Sequence, residues 1–139
     1  MITDAEITPG LVLHLDPDTL AAQGATCTCT VGQRVQGGHF FLCLEVEGEL
    51  AVWVPLYSND GVGRSQLSAN GRSGHRKWTT GTFYWYHGQV WRAPHPAVVA
   101  AADAGGDMSR AGSRNKLAQA SLPKLTNDAN SQDNASGKV

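Results

Sequence analysis

Apolar and polar residues alternate most regularly between His39 and Ser58. Phe40, Leu42, Leu44 and Val46 interleave with Phe41, Cys43, Glu45 and Glu47. After Gly48 the alternation resumes, with Leu50, Val52, Val54 and Leu56 set against Ala51, Trp53, Pro55 and Tyr57. A period of two belongs to a β-strand, so this stretch predicts a hairpin with one face buried and the other partly wet. Pro55 has no N–H to offer a ladder, which places its strand at a sheet edge or a bulge. An earlier apolar run, Leu11 to Leu15, is bracketed by Pro9-Gly10 and Asp16-Pro17 and reads as a first strand. Asp18 to Gln23 fits one helical turn, with Asp16 or Asp18 as its cap and Gly24 as its stop. Thr26 to Val31 alternates and is rich in β-branched residues, again a strand pattern.

Asn59 to His75 carries four glycines and few apolar residues, so it reads as a long loop. Lys77 to Arg92 predicts a second hairpin turning at His87-Gly88. One of its faces would hold Phe83, Trp85 and Val90, the other Tyr84, Tyr86, Gln89 and Trp91. Pro96 to Ala104 reads as a short helix, with proline in its first turn and Gly105-Gly106 as its stop. Together these elements predict a mainly β fold: a small SH3-like β-barrel or rolled antiparallel sheet with a short C-terminal helix. An OB-like barrel is the competing architecture.

Composition divides the chain. Every aromatic residue lies at or before Trp91, and from Asp103 to Val139 small and polar residues dominate. Such a segment offers little apolar surface to offset the entropy of ordering it. The expectation is therefore one β-barrel domain over 1–104 and a flexible, disordered polar tail over 105–139. No run approaches the ~18 to 20 apolar residues of a membrane span. The acidic, polar N-terminus does not resemble an export signal. Three cysteines, two of them only two positions apart, do not suggest a disulfide framework, and a cytoplasmic location is expected.

A net charge of −1 conceals a marked asymmetry. Up to Asp60 eight acids face a single base, Arg34. Between Gly61 and Ala102 lie Arg64, Arg72, Arg76, Lys77 and Arg92, with no acid. Bases in a Gly- and Ser-rich loop beside Trp53, Tyr57, Tyr84, Tyr86 and Trp91 suit a surface that stacks rings and tracks phosphates. The same rings equally suit the interior of a small barrel, and the same bases a solvated loop. Cys27-x-Cys29, Cys43 and five scattered histidines lack the spacing of a zinc site, and no metal or cofactor is expected. Nucleophile elbows, paired-carboxylate motifs and phosphate-cradling glycine loops are missing from the sequence.

Pro9-Gly10-Leu11-Val12 running to Asp16-Pro17, the Phe40–Val46 strand, and Ala51-Val52-Trp53-Val54-Pro55-Leu56-Tyr57-Ser58 together resemble the MazF/PemK family of endoribonuclease toxins over about residues 9–58. The resemblance implies an SH3-like barrel, often dimeric, that binds single-stranded RNA. It departs at two places. The family's Arg-Pro pair falls on Gly38-His39, and its catalytic threonine falls on Tyr57. If cleavage is retained, Arg34, His39 and Ser58 are the residues left to perform it. The leading expectation is a non-catalytic binding module whose aromatic and basic second half contacts another macromolecule, nucleic acid or protein, with a homodimer or larger assembly as the oligomeric forms considered. The alternatives are such an endoribonuclease and a structural component of a phage or other large assembly with an extended C-terminal arm.

Overall fold

The computed structural model describes residues 2–125. Its strands are β1 (Leu11–Leu15), β2 (Thr26–Cys27), β3 (His39–Glu47), β4 (Leu50–Pro55), β5 (Arg64–Gln66), β6 (Arg72–Ser73), β7 (Tyr84–Tyr86), β8 (Trp91–Pro94) and β9 (Asn115–Leu117). Three helices accompany them: α1 (Pro17–Ala22), α2 (Arg76–Thr79) and α3 (His95–Ala104). Seven strands form one antiparallel sheet in the order β2-β8-β4-β3-β1-β9-β6, and β5 pairs with β7 in a second. The large sheet rolls in barrel-like fashion without closing. The mainly β, rolled antiparallel architecture read from the sequence is thus the one found.

The β3–β4 hairpin forms with the predicted division of faces. Phe41, Cys43, Ala51 and Trp53 join a core completed by Leu20 of α1 and by Ala97, Val98 and Ala101 of α3. Leu42, Val52, Val54 and Leu56 join a second core with Trp78, Phe83 and Leu117. The expected wet face is therefore absent over the middle of the hairpin: helices cover one side, and the segments after β4 cover the other. This is why Ala51 to Leu56 is a continuous apolar run. Towards the hairpin tip Leu44 is bulged out between Cys43 and Glu45, and Glu45, Val46 and Glu47 emerge into solvent. Pro55 does not mark an edge strand, because β4 lies between β3 and β8. The β8 ladder ends at Trp53, so the side on which Pro55 lacks a donor has nothing to pair with.

Local chemistry fixes the helices as expected. Asp16 caps α1 by accepting the Thr19 N–H at 3.0 Å and its hydroxyl at 2.6 Å, with Pro17 in the first turn. Helix α3 starts with proline in its first turn and ends at Gly105. It packs on a face of the sheet, against β1, β8 and α1.

Three further sequence expectations are corrected. The Asn59–His75 loop contains two short strands, β5 and β6. The Lys77–Arg92 hairpin is not formed: the chain does turn after Tyr86, with Gln89 N–H donating to the Tyr86 carbonyl at 3.1 Å, but β7 pairs with β5 while β8 joins β4 and β2. Most consequentially, the domain does not end near residue 104. Strand β9 inserts between β1 and β6, with Arg114, Asn115 and Leu117 buried. Gly10, at φ +99°, makes room for it; a Cβ there would lie 2.3 Å from the Leu117 carbonyl oxygen. The part of the expected tail from 126 to 139 lies outside the described residues.

Candidate functional site

An open cleft of about 590 Å³ lies where the segment between β2 and β3, the start of the loop after β4, and the turn after β7 come together. It gathers Arg34, His39, Tyr57, Arg64 and Tyr86, five of the residues singled out from the sequence. Among the described residues, none that lines it is an aspartate or glutamate.

Gln89 builds the cleft from beneath. Its side chain is buried, and both ends of its amide are occupied. Oε1 accepts the Val35 N–H and the Trp91 indole N–H, each at 3.1 Å, while Nε2 donates to the Gln33 carbonyl at 3.3 Å and to the Tyr57 hydroxyl at 2.9 Å. Two N–H donors on one end and a carbonyl on the other fix which end is oxygen. The Tyr57 oxygen therefore accepts from Gln89, and its own proton is left for a partner elsewhere. Burial pushes the Tyr57 phenol up from its ordinary value, only partly countered by Arg64, so it stays a neutral donor at neutral pH.

The rings and cations are stacked rather than scattered. The Arg64 guanidinium lies over Tyr57 with its carbon 3.8 Å from the ring centre, and it donates to the Asn59 carbonyl at 2.9 Å. Arg34 lies 5.3 Å from the centre of the Trp91 ring, and its buried Nε has no hydrogen-bond partner. Neither guanidinium has a carboxylate partner among the described residues. His39 meets Tyr57 edge to face at 6.4 Å. Its Nδ1 lies 3.0 Å from the Gly37 carbonyl, which can only accept, so Nδ1 carries the proton and Nε2 is the free nitrogen of the neutral ring. Tyr86 folds over Gly88, where any Cβ would sit 2.3 Å from the ring.

The Thr26–Val31 stretch ladders only at Thr26 and Cys27; beyond them its side chains anchor this turn. Thr28 hydroxyl and Cys29 thiol both donate to the Gly88 carbonyl, at 2.8 and 3.1 Å. Burial raises the Cys29 thiol, so it is a poor nucleophile at neutral pH.

Several sequence candidates do not belong to this site. Trp53 and Trp91 are completely buried and cannot stack on a guest; Trp91 instead supports Arg34 and Gln89 from behind. Tyr84 shares backbone bonds of 2.8 Å with Tyr57, which it positions, but it does not line the cleft. Arg72 is locked against Trp78 and Phe83 and donates to the carbonyls of Leu67, Ser68, Trp78 and Gly81. Arg92 pairs with Glu47 at 2.9 Å on the surface. Arg76 is exposed on α2, and Lys77 lines a different cavity. Ser58 is exposed and does not line the cleft. Gln89, Gln33 and Cys29 were not singled out as site residues, because nothing in their spacing announces a shared network.

Among the described residues no cluster of His, Cys, Asp or Glu is arranged to hold a metal ion, and no helix is long and apolar enough to cross a membrane. The chain matches no protein-family model, no curated protein and no solved structure.

Proposed function

We propose that the chain is a binding module that holds a short stretch of single-stranded nucleic acid in the Arg34–Tyr57–Arg64 cleft. The observation that carries this reading is the convergence of two guanidiniums without carboxylate partners among the described residues, one of them with an orphaned buried N–H, on a concave surface that no described acid lines and that two tyrosine rings face. Guanidiniums attract phosphates, ring faces accept bases of any identity, and the free Tyr57 proton seeks an acceptor. A protein partner would meet a cleft with little exposed apolar surface and no acids to pair with its bases. The surface first read from the sequence is thereby narrowed to Tyr57, Arg64 and Tyr86, joined by Arg34 and His39.

The experiment is fluorescence anisotropy of a labelled oligo-uridine across a salt series. Binding should weaken with salt at a slope of about −0.7 per phosphate engaged. Arg64→Ala should weaken it about tenfold, the scale of one lost stacking or phosphate contact, and Arg92→Ala should leave it unchanged. Salt-independent binding, or equal losses in both variants, contradicts the proposal.

A second reading is favoured by Arg34 and His39 sharing this cleft, since the MazF/PemK resemblance leaves them as candidates for cleavage. His39 Nε2 would take the 2′-hydroxyl proton as that oxygen attacks the adjacent phosphorus. The 5′-oxygen leaves and takes a proton from water, and a 2′,3′-cyclic phosphate remains. Shortening of labelled RNA without added metal, abolished by His39→Ala, would establish cleavage. Intact RNA at stoichiometric protein leaves binding alone.

A further inference from the structure

A second cavity, about 920 Å³, is walled by β6, the start of α2, β9 and the loop joining α3 to β9. Lys77, Arg110 and Lys116 reach it from α2, the loop and β9; all three are exposed, and none has a carboxylate partner among the described residues. Among the described residues its one lining acid, Asp107, is engaged. Oδ1 accepts the His14 N–H at 3.2 Å and Oδ2 the Ser109 hydroxyl at 2.7 Å. The cavity is therefore positive, and its charge is uncompensated from within.

The loop wall is built. The Arg114 side chain is 3% exposed and pairs with Glu6 at 2.8 and 3.2 Å while also donating to the Ser109 carbonyl. Burying a guanidinium is costly unless it is fully bonded, and here those bonds tie the loop to the N-terminal segment. Next to that wall, His75 N–H donates to Asn115 Oδ1 at 2.7 Å, and His75 Nδ1 accepts the Lys77 N–H at 3.0 Å. The neutral His75 ring therefore carries its proton on Nε2, a further donor. A fixed concave wall with three cations on three separate elements is the arrangement that captures a multiply charged anion.

We propose that this cavity binds a small phosphorylated molecule, its phosphate oxygens held by Lys77, Arg110 and Lys116. A lone carboxylate would leave two of the three cations uncompensated, whereas a phosphate ester or diphosphate matches them. Phe40, edge to face with His14 at 5.3 Å, and Met108, which is 87% exposed, offer apolar surface for the remainder of the ligand. This site is separate from the nucleic-acid cleft and does not depend on its assignment.

The test is calorimetric titration of the full chain with inorganic pyrophosphate in phosphate-free, low-salt buffer, with backbone NMR shifts recorded in parallel. Saturable one-to-one binding is expected, with shifts confined to residues 73–77 and 106–116. Lys77→Gln and Lys116→Gln should each weaken binding about tenfold; both side chains are exposed and make no hydrogen bond or ion pair among the described residues, so the variants fold. Arg64→Ala, which impairs the other cleft, should leave pyrophosphate binding unchanged. Absence of saturation, shifts centred on Arg34 and Arg64, or an acidic peptide binding where pyrophosphate does not would each overturn the proposal.

Discussion

Gln89 joins the segment before β3, the strand end at Tyr57 and the buried indole of Trp91 through four hydrogen bonds. Truncating it to alanine strands the Val35 N–H and the Trp91 indole N–H in the interior, at about 1–3 kcal/mol for each unsatisfied donor. Gln89→Ala should therefore lower stability by about 2–6 kcal/mol in urea denaturation. Tyr57→Phe removes only the acceptor for Nε2, at about 1 kcal/mol, but also the hydroxyl proton directed away from Gln89. That variant should keep its fold and lose nucleic-acid affinity several-fold in the anisotropy assay. Glu6 makes a separate prediction at this scale. Its hydrogen bond from Arg114 and that from Thr3 hold the carboxyl at about 2, down from 4.5. Between those values the unfolded chain takes up a proton that the folded chain refuses, so this contribution is whole above pH 4.5 and is lost as pH falls towards 2. The gap in urea midpoint between the native chain and Glu6→Gln should be wide at pH ~6 and narrow at pH ~3.

At the scale of elements, β9 is the strand that residue patterning cannot show. It has three residues, only Leu117 is apolar, and it buries Asn115 alongside. Asn115 is legible only after the fact, since its partner is the backbone of His75, forty residues earlier. Yet β9 bridges β1 and β6, and Leu117 belongs to the same core as Trp78 and Val54. Leu117→Ala should cost about 2–4 kcal/mol. A chain ending at Ala104 should lose its cooperative thermal transition, while one ending at Leu125 should retain it; equal transitions would show β9 to be dispensable. The hairpin of β3 and β4 was readable down to which side chains share a face, because alternation fixes sidedness. Alternation carries no information on what covers each side, so it does not show that both faces are covered over the middle of the hairpin while Glu45 and Glu47 stay wet at its tip. The aromatic run at Tyr84–Tyr86 failed for a related reason: its pattern names a strand but not the partner, and β5 lies in a stretch whose glycines read as loop.

For the whole molecule, the segregation of acids and bases along the chain does not survive folding. The cleft takes Arg34 and His39 from the acidic first half and Arg64 and Tyr86 from the basic second half. Two of the bases counted as a surface, Arg72 and Arg92, are engaged within the protein. Five of the candidate residues do meet at one place, because the segments entering β3 and leaving β4 end side by side and the β5–β7 pair folds against them. No spacing in the sequence encodes that meeting. Titrating a ¹⁵N-labelled chain with a short oligo-uridine and following backbone amide shifts tests the nucleic-acid reading most directly. Perturbation should concentrate at residues 28–39, 57–66 and 86–89, with the 106–116 loop silent. Shifts confined to that loop and β6, or no shifts at low salt, would contradict it.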